Sequence, residues 1–178
     1  MKYIVLISSI LITGFKPARQ TVTHICGRNF NIDTSRYAIL NFAKDGNYYF
    51  DKDVKAATLT TKEIEKIETL IDERIFKYNK AEGVVYRRDS IDLKKKYPNA
   101  LPYDHRIKNP RKYYKQLIVV VNSKGEKIIW ANCFCTIDNV PYWKKSSVLV
   151  ADGGICYFNL KINLTKGTVY DLMINGDA

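Results

Sequence analysis

The chain contains 178 residues and has a formal net charge of +11, from 29 Lys or Arg and 18 Asp or Glu. This length corresponds to one domain that is large enough for a hydrophobic core, which argues against a multidomain protein. With only two His residues and no Cys-x-x-Cys pair, the composition argues against a metal site, and no cofactor is expected.

Residues 1–20 are predicted to be a signal peptide or an N-terminal anchor. Lys2 precedes a run of mostly apolar residues, and Lys16-Pro17 ends that run. A charge followed by a short apolar run is typical of a secretory signal, and the run is shorter than the ~20 residues of a membrane span. A buried first strand is the alternative. We expect an exported protein (periplasmic, envelope-associated or secreted) with a single domain in residues 21–178.

The chain has four cysteines, Cys26, Cys133, Cys135 and Cys156. Export would place them in an oxidising compartment, where disulfides persist. Four cysteines allow three pairings, and the sequence cannot choose among them. Cys133 and Cys135 lie two positions apart in a predicted strand, so they point to one face and are not expected to pair with each other. Disulfides and buried free thiols remain open as alternatives.

A short N-terminal hairpin is the first predicted element of the domain. Residues 37–42 have strand character, Asp45-Gly46-Asn47 predicts a turn, and residues 48–50 could pair back as a second strand.

The clearest helix is predicted to begin at Thr60. Thr60 and Glu63 have the spacing of a capping box, in which each side chain bonds to the backbone of the other residue. The following apolar residues recur at three- and four-residue spacing and form one stripe: Ile64, Ile67, Leu70, Ile71, Ile75 and Tyr78. Asn79 and Gly83 are stop signals. The stripe requires a sheet or a second helix to cover it.

Residues 82–112 are predicted to be a basic, mostly irregular segment in which Pro98, Pro102 and Pro110 interrupt regular structure. From Lys80 to Lys115 there are eleven Lys or Arg against four Asp or Glu. Such a patch raises the affinity for polyanions such as nucleic acid or acidic glycans; a solvated surface is the alternative. The candidate ligand-binding cations are Arg87, Arg88, Lys94, Lys95, Lys96, Arg106, Lys108, Arg111 and Lys112.

The second half of the chain predicts an antiparallel meander of five strands with short connections. The strands are residues 116–122, 127–135, 147–150, 156–163 and 169–174. Apolar and polar residues alternate most clearly in the fourth of these, as in a half-buried antiparallel strand. Because the helix and the strands are segregated, the fold class is α+β, with one main helix packed on an antiparallel meander that follows an N-terminal hairpin. This resembles a cystatin-like arrangement.

Several segments resemble a group of small, exported bacterial proteins of unknown function. They are Tyr113-Tyr-Lys-Gln116, Asn122-Ser-Lys-Gly-Glu-Lys127, Trp130-Ala-Asn-Cys-Phe-Cys135, Trp143-Lys-Lys145, Asp152-Gly-Gly-Ile-Cys-Tyr-Phe158 and Asn175-Gly-Asp-Ala178. The resemblance covers residues 36–178 and implies export. It implies no activity, substrate or catalytic residue.

The sequence does not favour an enzyme. It contains no phosphate loop, dinucleotide fingerprint, Gly-x-Ser-x-Gly or His-Glu-x-x-His motif. A nucleophilic cysteine paired with His105 would have to be accessible, whereas Cys133, Cys135 and Cys156 share predicted strand faces with apolar residues. No catalytic residue is assigned.

Trp130 is the remaining candidate binding residue, because it lies on the strand face opposite the cysteines. Either the basic segment covers that face or the face offers a binding surface. We predict a non-enzymatic binding or structural module of the cell envelope, with an envelope protein or an anionic glycan as partner. A basic polyanion-binding protein is the alternative. Nucleic acid is less favoured, and membrane contact is expected only through an uncleaved N-terminal segment.

Overall fold

The computed structural model describes residues 33–46, 48–138 and 140–176. These residues form one long helix and a six-stranded, mostly antiparallel sheet, which confirms the α+β fold class. The predicted export signal and Cys26 lie outside the described residues. Among the helices that are described, none has the length and hydropathy needed to cross a membrane.

The sheet is a meander with two short strands added at one edge. Strands β3 to β6 pair antiparallel in chain order, and β1 and β2 both pair with β3, β1 in parallel and β2 antiparallel. The strands are β1 (Tyr37–Ile39), β2 (Lys55–Ala56), β3 (Tyr114–Val121), β4 (Lys127–Phe134), β5 (Tyr157–Asn163) and β6 (Thr168–Ile174). The helices are α1 (Phe42–Asp45) and α2 (Thr61–Lys96).

The predicted N-terminal hairpin does not form. The chain leaves β1 after Ile39, and the Asn41 side chain accepts a hydrogen bond from the backbone N–H of Ala43 at 2.9 Å, which caps α1. Residues 48–50 form a turn instead of a strand. Phe42 and Phe50 bring their rings to 6.1 Å and pack against the sheet, so burial of these aromatic rings replaces strand pairing.

Helix α2 begins as predicted but continues beyond the predicted stop signals. Thr60 and Glu63 form both hydrogen bonds of the capping box. Asn79 does not end the helix, because its side chain bonds both backbone groups of Ile107 (2.7 and 2.8 Å). Gly83 is buried where the side chain of Arg106 packs on the helix. Residues 82–96 are therefore helical rather than irregular, and the helix ends at Lys96, before Pro98.

The sheet has a hydrophobic core on each face. On one face, α2 contributes Ile67, Leu70, Ile71 and Ile75, which pack against alternate residues of β3, β4 and β5. On the other face, Ile118, Trp130 and Phe134 are covered by side chains from the segments around residues 38–50 and 137–150. Of the two interpretations of the Trp130 face, cover by the basic segment is therefore wrong, since residues 82–96 belong to α2 and no residue of 82–112 contributes to this core.

A buried ion pair connects α2 to the centre of the sheet. Lys115 of β3 is fully buried, and its ammonium lies 3.1 Å from the carboxylate of Glu68. The same ammonium donates to the backbone carbonyls of Pro110 and Tyr113 at 3.0 and 3.1 Å, and the Tyr37 hydroxyl donates to Glu68. Each partner thus has hydrogen bonds that offset part of the cost of its burial.

We expect Lys115→Met to lower the free energy of unfolding by about 3–5 kcal/mol, because it leaves the Glu68 carboxylate buried without its cation. Urea unfolding followed by circular dichroism measures the change. Lys95→Met is the matched control, since it removes an exposed pair with Asp92 (2.8 Å) and should cost no more than about 0.5 kcal/mol. Similar losses in the two variants would contradict a structural role for the buried pair.

Candidate binding pocket

A pocket of about 410 Å³ lies on the face of the sheet opposite α2, and we call it the sheet pocket. Its floor is formed by β4 and β5, and its sides by β6, by residues 148–150 and by the Tyr48–Tyr49 turn. The lining side chains are Tyr48, Tyr49, Trp130, Asn132, Val148, Leu149, Val150, Tyr157, Asn159, Lys161, Asp171, Met173 and Asn175.

The antiparallel register determines which side chains form the floor. Asn132 of β4 lies opposite Asn159 of β5, which lies opposite Met173 of β6. Trp130 lies opposite Lys161. Because alternate residues of a strand share one face, these side chains all point away from α2 and form two adjacent rows.

One side of the pocket is held by a buried amide network. The side-chain oxygen of Gln116 accepts from the backbone N–H of Val148 at 2.9 Å and from the Asn132 side chain at 3.1 Å. Its amino group donates to the carbonyls of Trp143 and Ser146, and the Asn132 amide donates to the Val148 carbonyl at 2.8 Å. The predicted strand at 147–150 is therefore absent, because the backbone N–H and C=O of Val148 bond to side chains of the sheet and not to the backbone of a neighbouring strand.

The aromatic part of the pocket is built on Trp130. The Tyr49 ring stacks on the Trp130 indole with their centroids 3.7 Å apart, so that Trp130 itself is buried. Tyr48, Leu149 and Met173 are exposed at the rim. A ligand in the pocket would therefore meet aromatic and aliphatic side chains around its edge.

The polar groups of the pocket combine one ion pair with several amides. The Lys161 ammonium lies 3.4 Å from the Asp171 carboxylate, so the two charges largely offset each other. The Asn175 amide donates to the Val150 carbonyl at 2.5 Å. Asn159, in contrast, makes no side-chain hydrogen bond to any other described residue, which leaves its amide available to a ligand.

A disulfide joins the end of β4 to the turn that precedes Tyr157 and β5. Cys135 and Cys156 are bonded, and the backbone N–H of Cys135 donates to the carbonyl of Cys156 at 3.0 Å. The expectation that both share a buried strand face is wrong, because β4 ends at Phe134 and Cys156 belongs to a short 3-10 turn, Gly154–Cys156. Cys133 is a buried free thiol, as its position among apolar residues predicts.

Burial makes the Cys133 thiol a poor nucleophile. It raises the pKa of Cys133 to about 12, although the nearby Lys115 ammonium opposes part of that shift. The pKa of the buried Tyr113 hydroxyl is also raised by burial, to about 12. A thiolate is therefore almost absent at neutral pH. His105, the base considered for a cysteine nucleophile, is exposed on the segment that returns from α2 (residues 97–109).

The cations predicted to bind ligands lie away from the sheet pocket, and only Trp130 of the predicted site residues lines it. Arg87, Arg88 and Lys94–Lys96 lie on the second half of α2, Arg106 and Lys108 on the returning segment, and Arg111 and Lys112 just before β3. Several are paired: Arg88 with Asp89, Lys95 with Asp92, Arg106 and Lys108 with Asp104, and Arg111 with Asp72. Hydrogen bonding by Arg106 lowers the pKa of Asp104 to about 2.

Sequence reasoning missed most of the pocket. The alternation along β5 placed Tyr157, Asn159 and Lys161 on one polar face, and that signal could have indicated a polar sheet surface. Asp171 was not predictable, because it occupies a left-handed conformation (φ 51°) beside a register shift between β5 and β6. Tyr48 and Leu149 reach the pocket from loops.

Within the described ranges, no group of three His, Cys, Asp or Glu side chains is placed to hold a metal ion. No protein-family model, curated protein or solved structure matches the chain.

We expect Gln116→Leu to release the segment that borders the pocket, because the backbone groups of Val148, Trp143 and Ser146 lose their buried partners. Trypsin cleavage after the exposed Lys144 and Lys145 should become at least about tenfold faster, since cleavage follows the population of the open form. Cleavage after Lys124, in the β3–β4 turn, is the internal control. An equal acceleration at Lys124 would mean that Gln116 affects only global stability.

Stability should fall as the pH rises above about 9. The folded state keeps the protons of Cys133 and Tyr113 up to about pH 12, whereas the unfolded chain loses them near its ordinary thiol and phenol values. The unfolded state therefore binds fewer protons in this window, which lowers the free energy of unfolding. In Cys133→Ala the free energy of unfolding should fall less steeply with pH, by about 1.4 kcal/mol per pH unit, because unfolding releases one proton fewer. Urea unfolding between pH 9 and 10.5 measures this slope. An unchanged slope would contradict the raised pKa of Cys133.

Proposed function

We propose that the protein is an exported, non-enzymatic binding module of the cell envelope and that its ligand occupies the sheet pocket. The observation that carries the proposal is the available Asn159 amide in a pocket with an aromatic and aliphatic rim. Ligand sites generally combine an apolar lining with a few well-placed polar groups. The Cys135–Cys156 disulfide supports export, because disulfides persist in oxidising compartments.

The lining supports binding rather than catalysis. The described residues around the pocket include no His, Cys or Ser, and the ion pair of Lys161 and Asp171 holds the two charged groups against each other. Nucleophilic catalysis requires a nucleophile beside a positioned base, and general acid–base catalysis requires a group that can exchange a proton near neutral pH.

The ligand class that fits this lining is an acetylated sugar of an envelope glycan. Aromatic rings such as Tyr48 and Tyr157 can contact the apolar face of a sugar ring, and Leu149 and Met173 can contact an acetyl methyl group. The Asn159 amide can exchange hydrogen bonds with hydroxyl and acetamido groups. The offset charges of Lys161 and Asp171 favour a neutral sugar unit, while any acidic groups of the same glycan would extend outside the pocket.

We expect N,N′-diacetylchitobiose to bind saturably in a titration followed by isothermal calorimetry. Asn159→Ala should weaken binding by about tenfold or more, because it removes a hydrogen-bonding group that no other described residue uses. Asn99→Ala is the matched control: it removes an exposed amide outside the pocket and should leave the dissociation constant unchanged. Absence of saturable binding, or equal affinity of the Asn159 variant and the wild type, would overturn the sugar proposal.

A further inference from the structure

The second half of α2 lies past the hydrophobic core. The helix has 36 residues, and its buried side chains occur between Ile67 and Ile75, with only Gly83 buried after them. Beyond that point, one side of the helix packs on the returning segment through the hydrogen bonds of Asn79 with Ile107 and through the Arg106 guanidinium above the Tyr86 ring (5.1 Å). The side of the helix next to this contact is exposed, and no other described element covers it. At its start, Phe76 and Lys80 line a pocket together with Arg106, Ile107 and Lys108.

Apolar and basic residues share that uncovered side. Phe76, Val84 and Ile91 are 71%, 57% and 62% exposed, which is unusual for three large apolar residues on one helix face. Lys80, Arg87 and Lys94 lie between and beside them at three- and four-residue spacing. At 100° per residue these six positions fall within about 80° of arc, over a length of about 27 Å. We call them the basic–apolar face: Phe76, Lys80, Val84, Arg87, Ile91 and Lys94.

Within the part of the chain that the structure describes, no carboxylate neutralises the charges of this face. Lys80, Arg87 and Lys94 have no carboxylate within 4 Å among the described residues. The acidic residues of the same half of α2, Glu82, Asp89 and Asp92, lie on other sides of the helix by their spacing. The face therefore presents a positive potential together with hydrophobic surface.

We propose that the basic–apolar face docks on the surface of an anionic lipid bilayer. A helix that combines exposed apolar residues with flanking Lys and Arg lies in the plane of a membrane interface, where its apolar side chains enter the headgroup region and its cations meet lipid phosphates. Nucleic acid would account for the cations but would leave Val84 and Ile91 without a favourable contact, since its surface is dominated by phosphates. This role is separate from sugar binding in the sheet pocket.

Co-sedimentation of the full chain with vesicles tests the proposal. The probes are vesicles of phosphatidylglycerol and phosphatidylcholine in equal parts, with pure phosphatidylcholine vesicles and a DNA duplex for comparison. One variant removes the apolar residues (F76S/V84S/I91S), and a second reverses the charges of the face (K80E/R87E/K94E). The matched control, K52E/K62E/K124E, makes the same change in net charge at exposed lysines outside the face. Circular dichroism and thermal unfolding verify that each variant is folded.

We expect binding to the anionic vesicles and weak binding to pure phosphatidylcholine. Each cation near the surface contributes roughly a fivefold factor, so the charge variant should lose about a hundredfold in partitioning, and the control should lose much less. The apolar variant should lose about tenfold or more. The proposal is overturned if the apolar variant binds the anionic vesicles like the wild type. It is also overturned if duplex DNA displaces the protein from the vesicles through the cations alone. Equal binding to both vesicle types that is insensitive to the substitutions, as for an N-terminal anchor, would overturn it as well.

Discussion

Burial of β3 and β4 on both faces is the constraint on which the rest of the structure depends. Two neighbouring residues at the start of β3, Lys115 and Gln116, are both fully buried and point to opposite sides of the sheet. Each has polar atoms that cannot reach water, so each requires partners from whatever covers its face. The two side chains therefore select the element that packs on each side.

On one side, Lys115 takes Glu68 of α2 as its partner and fixes the position of the helix on the sheet. On the other, Gln116 takes the backbone near Trp143, Ser146 and Val148, and fixes a loop that covers β3 and part of β4. The sheet pocket lies beside this loop, and residues 148–150 form one of its sides. The amide network of Gln116 therefore positions one border of the pocket.

The elements that local signals determine could be predicted from the sequence, and those that depend on distant contacts could not. The capping box at Thr60 and the alternation along β5 are local, and both have the predicted structure. The stop predicted at Asn79 failed because that side chain bonds to Ile107, which is 28 residues away. The predicted hairpin failed for a related reason, since β1 pairs in parallel with a strand that follows α2. In the pocket, the strand residue Trp130 was predictable, whereas Tyr48 and Leu149 come from loops that only the tertiary structure brings together.

The two-sided architecture also separates the two candidate interaction surfaces. The sheet pocket lies on the face opposite α2, and the basic–apolar face belongs to the part of α2 that extends past the core, so no lining residue of the pocket is shared with that face. Substitutions at distant sites without common partners are generally additive. A protein attached to a bilayer through α2 would therefore keep its pocket open toward the surrounding envelope, where a glycan could reach it. This arrangement would join the proposed membrane contact and the proposed ligand site in one small domain, with the doubly buried strands β3 and β4 between them.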